Sequence, residues 1–434
     1  MADIIEELSW RGLVAISTDL EELRTALRSG QVTVYIGFDP TAPGLHIGNL
    51  VQLLTLRRLQ LAGHRPIGLV GGATGLIGDP SGKSAERVLN SREVVAEWTG
   101  RLRGEVSRIL DFEPGPASAL LVSNLDWTRD LPALDFLRDI GKHFSVNQML
   151  ARESVRARLD GGGISYTEFS YQLLQAMDYL ELHRRHGCTL QLGGSDQWGN
   201  LVGGVDLIRR VEGASVHALA TPLITKPDGT KYGKTEGGAI WLSAELMSPY
   251  EFYQFWLNRA DAEAGHLLRV FTFRGREEIA DLELATTERP AARAAQRALA
   301  EDVTTLVHGR GEYERAAAAS RALFGQGDLR TLDEATLRAV MAQAPSTVVP
   351  GTAALSAVSE LMAQVGIVES KSAARRAIAA GGAYLNNEKV TDPDQIPAPA
   401  DLLRGKFLVL RRGKRTTGVV EVAAGGPSEV QSSI

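Results

Sequence analysis

Three short stretches of the chain combine residue types that handle phosphates. The first is Leu45-His46-Ile47-Gly48-Asn49, at the start of a helical pattern. A helix start presents free backbone N–H groups and a partial positive charge, both favourable to phosphate. His46 and Asn49 are three apart and so share one face of a first turn, and Gly48 lets a ligand approach the backbone. The second is the glycine-rich run GGATGLIGDPSGKS, from Gly71 to Ser84. It is not a Walker A loop, because the Gly82-Lys83-Ser84 ending needs glycine at position 77, where Ile77 stands. Its backbone can still host a small polar ligand, with Asp79, Lys83 and Arg87 able to point into it. The third is Lys231-Tyr232-Gly233-Lys234-Thr235, after the turn signal Lys226-Pro227-Asp228-Gly229. Two lysines three apart beside a glycine suit a clamp on phosphates. Taken singly, the first reads equally as a plain helix junction and the third as a solvated loop. A fourth pattern is different in kind. Tyr171, Gln175 and Asp178 lie at i, i+4 and i+7 of a predicted helix, so one face presents all three. A buried aspartate must find partners, and a substrate hydroxyl is one.

The elements that position these residues read as α/β. Residues 4–29 have helical spacing with Gly30 as a stop. Gln31–Phe38 is β-branched and aromatic, as a buried strand is. A helix from about Leu50 to Leu61, a strand Pro66–Val70, a helix over about Glu93–Leu110 and a strand Leu120–Ser123 follow. Strand, loop, helix, repeated, is the pattern of a parallel sheet, whose ligands sit at the carboxyl ends of strands. Tyr166–Arg185 reads as helix and Leu190–Leu192 as a strand ending in GGSDQWGN. Residues 248–323 are helical and alanine-rich. Gly325, Gly327, Pro345 and Pro350 mark a looser linker. Residues 353–420 read as two short helices and then strands, AYLNNEKV and GKFLVLRRGKR.

Composition excludes several classes. The 434 residues suggest two or three domains. With 44% hydrophobic and 23% charged residues the chain is neither disordered nor collagen-like. One cysteine, Cys188, allows no internal disulfide and no multi-cysteine zinc site. It reads as a buried structural thiol rather than a nucleophile. No apolar run of membrane-spanning length and no signal peptide is present, so a cytoplasmic protein without membrane contact is expected. Net charge is −5, with 47 Lys+Arg against 52 Asp+Glu, but residues 352–434 carry +2 and the rest −7. A mildly basic tail on an acidic body hints at nucleic acid.

His-x-Gly-Asn at a helix start, far upstream of Lys-x-x-Lys-Thr, resembles the signature pair of class I aminoacyl-tRNA synthetases. YIGFDPTAPGLHIGN, GGATGLIGDPSGKS, GKHFSVNQML, YTEFSYQLLQAMDYL, LQLGGSDQWGNL and DGTKYGKTEGGAIWL together resemble the bacterial tyrosyl-tRNA synthetases, over essentially the whole chain. Two departures are visible. Asn49 stands where the archetype has histidine, and KYGKT replaces Lys-Met-Ser-Lys-Ser, the form usual in this subfamily.

The resemblance implies a Rossmann-like parallel-sheet catalytic domain (1–247), a helical anticodon-arm domain (248–325), a linker (326–352), a small α+β RNA-binding domain (353–420) and a disordered tail (421–434). It implies ATP and L-tyrosine as substrates, Mg²⁺ with the ATP phosphates, tRNA(Tyr) as partner, a homodimer, and no structural zinc or other resident metal. For catalysis it implies His46, Asn49, Lys231 and Lys234, assisted by Thr41, Lys83 and Arg87. For tyrosine it implies Tyr35 and Asp178 at the phenolic hydroxyl, Asp79, Tyr171 and Gln175 at the amino group, Gln197 near the carboxylate, and Asp39 beside amino group and nucleotide. For the nucleotide it implies Gly37, Gly48, Gly194, Asp196 and Thr235. In the C-terminal unit Lys371, Arg375, Arg411, Arg412, Lys414 and Arg415 could contact RNA phosphates. Two other readings compete. A small-metabolite nucleotidyltransferase would be shorter and lack residues 248–420. A non-enzymatic RNA-binding relative would not need His46, Asn49, Lys231 and Lys234 intact.

Overall fold

A computed structural model describes residues 3–81, 89–159, 162–225, 238–413 and 416–423. It divides into two compact units. The first is Met1–Leu246 with Ala260–Ala295, and the second is Met247–Arg259 with Gln296–Ile434.

The first unit is built on a six-stranded sheet: β1 (Ile16–Ser17), β2 (Thr33–Phe38), β3 (Arg65–Val70), β4 (Leu120–Ser123), β5 (Cys188–Gly194) and β6 (His217–Thr221). Their order is β1-β6-β5-β2-β3-β4. All neighbours are parallel except the edge pair β1–β6. From β2 the chain proceeds outward through β3 and β4, then crosses back to β5 on the other side of β2. The carboxyl ends of β2 and β5 therefore flank a topological switch point, where open α/β sheets bind ligands. The Ile47–Leu61 helix is buried on most of its surface, and Leu50, Leu53, Leu54, Leu56 and Leu59 are wholly buried. Each such leucine stabilises by about 1.5–3 kcal/mol relative to exposure. Behind β5, the Tyr166–His186 and Trp198–Glu212 helices pack on each other, with Tyr35, Tyr179, Leu180 and Cys188 in one core cluster.

In the second unit a five-stranded sheet has the order β7-β11-β10-β8-β9, with β7 Ser346–Val349, β8 Ala383–Leu385, β9 Glu388–Lys389, β10 Phe407–Arg412 and β11 Thr416–Val422. The Val358–Gln364 and Lys371–Ala379 helices share its core through Val358, Leu361, Met362, Ala374 and Ile378.

Five expectations need correction. Residues 4–29 are two helices, Ile4–Trp10 and Leu20–Ser29, separated by β1. Ile16 and Ser17 pair with β6, and the Asp19 carboxylate accepts from the N–H groups of Glu21 and Glu22, starting a new helix. The helix expected from Leu50 begins at Ile47. The region 248–325 is helical but is not one body, because residues 260–295 cluster with the first unit. Buried Arg11 and Arg58 hold them there. Arg11 Nη1 donates to the carbonyls of Arg269 and Thr272 at 2.7 and 2.9 Å, and Arg58 Nη2 to those of Val270 and Thr272 at 2.9 and 2.7 Å. Finally, the linker 326–352 contains the Glu334–Gln343 helix and β7, which pairs in parallel with β11. The tail lies outside the described residues from 424 on, while Glu421 and Val422 belong to β11.

Candidate active site

A cleft of about 530 Å³ opens at the carboxyl ends of the parallel strands. The turn after β2 supplies Asp39 and Thr41, and the helix start behind it supplies His46, Gly48 and Asn49. The loop after β3 supplies Thr74 and Asp79, the Tyr166–His186 helix supplies Tyr171, Gln175 and Asp178, and the end of β5 leads to Gly194, Asp196 and Gln197. With Tyr35 and Gly37 of β2, fourteen of the residues expected from the sequence share this one cavity. The i, i+4, i+7 stripe does present its three side chains together. Lys83, Arg87, Lys231, Lys234 and Thr235 lie outside the described residues, as do Lys414 and Arg415. The described residues on either side of 226–237 are close by. Leu223 and Ile224 line the cleft, and Trp241 bridges to His46.

The deep end of the cleft is polar and buried. Asp178 is 2% exposed and accepts from Asn124 Nδ2 at 3.0 Å and Trp127 Nε1 at 2.9 Å. Burial nonetheless lifts its carboxyl to about 7, against the pull of those two donors. Tyr35 is 1% exposed, and its hydroxyl finds no hydrogen-bond partner among the described residues. Burial beside Asp178 pushes that phenol well above its ordinary range. A buried hydroxyl left unpaired costs roughly 1–3 kcal/mol, so this end of the cleft is prepared for a further polar group.

Above it runs a connected carboxylate network. Asp39 accepts from Thr74 Oγ1 and Tyr171 Oη, both at 2.6 Å. Asn124 Nδ2 donates to Thr74 Oγ1 at 3.0 Å, which joins Asp39 to Asp178 through two side chains. Asp79 accepts from Gln197 Nε2 at 2.7 Å and from the Ser81 N–H at 2.9 Å. Two carboxylates, Asp39 and Asp79, thus stand near Tyr171 in the middle of the cleft, and both help keep its phenol protonated after burial itself. Such a patch suits a cationic amine.

At the helix start the structure revises the local geometry. His46 is the N-cap rather than a first-turn residue. Its Nδ1 accepts from the Gly48 N–H at 3.0 Å, while Asn49 Oδ1 accepts from the His46 N–H at 3.0 Å, a reciprocal cap. Glycine at 48 leaves the His46 ring in its place, since a Cβ there would lie 2.8 Å from His46 Cε1 and push the ring aside.

Sequence reasoning missed Asn124, Trp127 and Thr74, which orient the two aspartates. Asn124 is fully buried directly after β4, and a polar residue at a strand's carboxyl end was the available signal. Gln191 was also missed; it pairs in register with Tyr35 and lines the cleft, its buried Oε1 without a partner among the described residues.

In the second unit Lys371 and Arg375 are exposed and pair with Glu360 and Asp394, and Arg412 is exposed at the end of β10. Arg411 corrects the expectation. It is 7% exposed, its guanidinium lying 3.9 Å over the Tyr384 ring and bonding the Gly413 carbonyl. It is on the face of β10 opposite Leu408 and Leu410, covered there by Tyr384, and offers little surface to an RNA phosphate.

A parallel sheet with a capped helix start and a polar cleft at its switch point defines an α/β enzyme of the nucleotide-binding kind. The family model for class I tRNA synthetases (W and Y) matches residues 27–325, and that for the tyrosine–tRNA ligase SYY-like C-terminal domain matches residues 337–420. A tyrosine–tRNA ligase of Streptomyces avermitilis is 62% identical over 427 residues, covering 98% of this chain and 100% of the relative. That of Thermobifida fusca is 59% identical, covering 97% and 99%. The solved structure of a C-terminally truncated Aspergillus nidulans mitochondrial tyrosyl-tRNA synthetase superposes with a TM-score of 0.69 at 29% identity, over 74% of this chain and 94% of that one. The chain belongs to the class I tRNA synthetases, in their tyrosine–tRNA ligase family.

Proposed function

We propose that the chain activates tyrosine with ATP and transfers it to tRNA(Tyr), as a tyrosine–tRNA ligase. In the first step a carboxylate oxygen of tyrosine attacks the α-phosphorus of ATP. The bond to the β-phosphate breaks, and tyrosyl-adenylate and pyrophosphate form. In the second, a hydroxyl of the terminal ribose of the tRNA attacks the acyl carbon and AMP leaves. The first step needs no strong base, because the nucleophile is already an anion. It needs alignment and stabilisation of charge on the phosphates.

The observation that carries this reading is the deep end of the cleft. The unpartnered Tyr35 hydroxyl and the Asp178 carboxylate face one cavity, and a phenolic hydroxyl satisfies both. Phenylalanine would leave the Tyr35 hydroxyl buried and unpaired and bring Asp178 no further donor, which disfavours it. Asp79, Tyr171 and Gln175 then receive the ammonium group with Asp39 beside it, and Gln197 meets the carboxylate. Gly194 and Asp196 take the ribose, and Gly37 and Gly48 leave room for the nucleotide. Since His46 Nδ1 accepts from Gly48, the neutral ring carries its proton on Nε2 and offers it to a phosphate oxygen. Asn49 holds that histidine by its backbone, and Thr41 lies on the same side of the cleft. Lys83, Arg87, Lys231, Lys234 and Thr235 add positive charge and a hydroxyl for the pyrophosphate, by their place in the sequence motifs. Mg²⁺ enters with ATP, held mainly by its phosphates. Lys371, Arg375 and Arg412, with Lys414 and Arg415, contact the tRNA backbone. Exposed Leu134, Leu137, Val146, Leu150 and Tyr166, clustered within 33 residues of sequence, support a homodimer formed through this region. No helix among the described residues is long and apolar enough to cross a membrane, and the cytoplasm is the expected compartment.

Tyrosine-dependent ATP–pyrophosphate exchange without tRNA tests the reading, with phenylalanine and tryptophan as controls. Exchange with tyrosine alone is expected. Folded protein that exchanges with no amino acid would overturn the activation mechanism and favour a non-catalytic RNA-binding role.

A further inference from the structure

The Arg92–Ile109 helix buries Val95, Leu102, Val106 and Ile109 against the first unit, and on the same stripe it buries a carboxylate, Glu105, which is 8% exposed. A charge in an apolar stripe is costly and needs a specific partner. Its partner is backbone. Glu105 Oε2 accepts from the Leu45 N–H at 2.6 Å, one residue before His46. The other oxygen, Oε1, lies against Gly44, where an added Cβ would come within 3.0 Å of it. Burial raises the carboxyl, while the Leu45 N–H and then Arg108 and Arg101 oppose the rise.

The backbone on either side of His46 is held as well. The Leu45 carbonyl accepts from the Leu242 N–H at 2.8 Å, the Ile47 N–H donates to the Ile240 carbonyl at 3.0 Å, and His46 bridges to Trp241. Leu45 is therefore the point where the helix carrying Glu105, the turn carrying His46, and the 240–242 segment are tied together. Of this arrangement only His46 is among the described residues that line the cleft; Glu105, Leu45 and the 240–242 segment are not.

We infer that Glu105 is a positioning residue for the ATP half of the reaction: through the Leu45 N–H it fixes where the His46 cap stands relative to the phosphates, without contacting substrate. This rests on the ligase reading above. A displacement of about 1 Å at a catalytic group is enough to cost up to ~100-fold in rate, and loss of this bond removes one of the ties that hold the turn.

The test compares Glu105→Leu and Glu105→Gln with the parent enzyme. Leucine fills the space but accepts no hydrogen bond, whereas glutamine keeps an acceptor in reach of Leu45. The readouts are KM for ATP and kcat in pyrophosphate exchange, and tyrosine affinity by equilibrium dialysis without ATP. For Glu105→Leu, kcat/KM for ATP is expected to fall roughly 10- to 100-fold with tyrosine affinity within about twofold of the parent, and Glu105→Gln is expected to recover most of the loss. Unchanged ATP parameters in Glu105→Leu, or equal losses for tyrosine and ATP, would overturn the assignment. Should Glu105→Leu fail to fold, Glu105→Asp, whose shorter arm withdraws the acceptor, is read by the same criteria. The parent's own exchange activity separates a failure of this inference from a failure of the ligase reading.

Discussion

Asp178 shows how much one buried side chain can report. Its carboxyl stands at about 7 because burial outweighs the two hydrogen bonds from Asn124 and Trp127. Its folded value is thus above the ordinary 3.8, and the folded state binds the proton more tightly than the unfolded one. The stability this contributes is complete below about pH 4 and is lost as pH rises through about 7. Asp178→Asn removes that titration. Urea unfolding at a series of pH values should therefore show the variant gaining on the parent between those limits. Binding has the opposite sense. The ionised carboxylate is the form that accepts from a phenolic hydroxyl, so kcat/KM for tyrosine in exchange should rise through pH 7 in the parent. In Asp178→Asn it should be lower by roughly 10- to 100-fold, the equivalent of ~1.5–3 kcal/mol for a hydrogen bond to a charged group, and flat with pH. A parent profile without that rise would show that Asp178 is already ionised at lower pH.

The helix that starts at Ile47 is where local chemistry and catalysis meet. Its reciprocal cap uses the same two side chains that the motif offers to phosphate. Asn49→Ala leaves the His46 N–H without its acceptor, so a stability loss of about 1 kcal/mol is expected. A rise in KM for ATP with tyrosine affinity unchanged should accompany it. Denaturant titration and exchange kinetics on one preparation check both. This helix, β2, β3, β4 and the Tyr166–His186 helix were legible in the sequence, because apolar periodicity and β-branched runs report burial directly. β6 was not. His217–Thr221 is rich in alanine and carries no strand signal of its own; it is a strand because it lies between β5 and β1. Nor was Glu105, which a linear reading places among the solvated charges of an amphipathic helix.

At the scale of the whole molecule, the second unit carries its exposed cations in weak pairs. Lys371 with Glu360 and Arg375 with Asp394 are surface bridges, worth little in water, and so are readily exchanged for phosphate contacts. The double variant Lys371→Glu/Arg375→Glu should raise KM for tRNA in aminoacylation. It should also flatten the dependence of log affinity on log salt by about 1 per lost contact. Pyrophosphate exchange, which needs no tRNA, serves as the check on folding. Arg411→Ala belongs to another class. The Tyr384 face and the Gly413 carbonyl lose a buried partner, so stability should fall while the salt dependence stays.

Sequence alone was enough to establish the α/β class, the order of the parts, and the identity of the cleft-lining residues that specific motifs carry. Those features are local: periodicity, turn chemistry and short words survive without knowledge of what packs on what. Tertiary structure decided which charges are buried. It turned Arg411 inward, split residues 248–325 between two bodies, made His46 a cap, and brought Asn124, Trp127 and Glu105 onto groups 54, 51 and 60 residues away. Burial and hydrogen-bond pairing are properties of neighbours distant in the chain, and no window of sequence contains them.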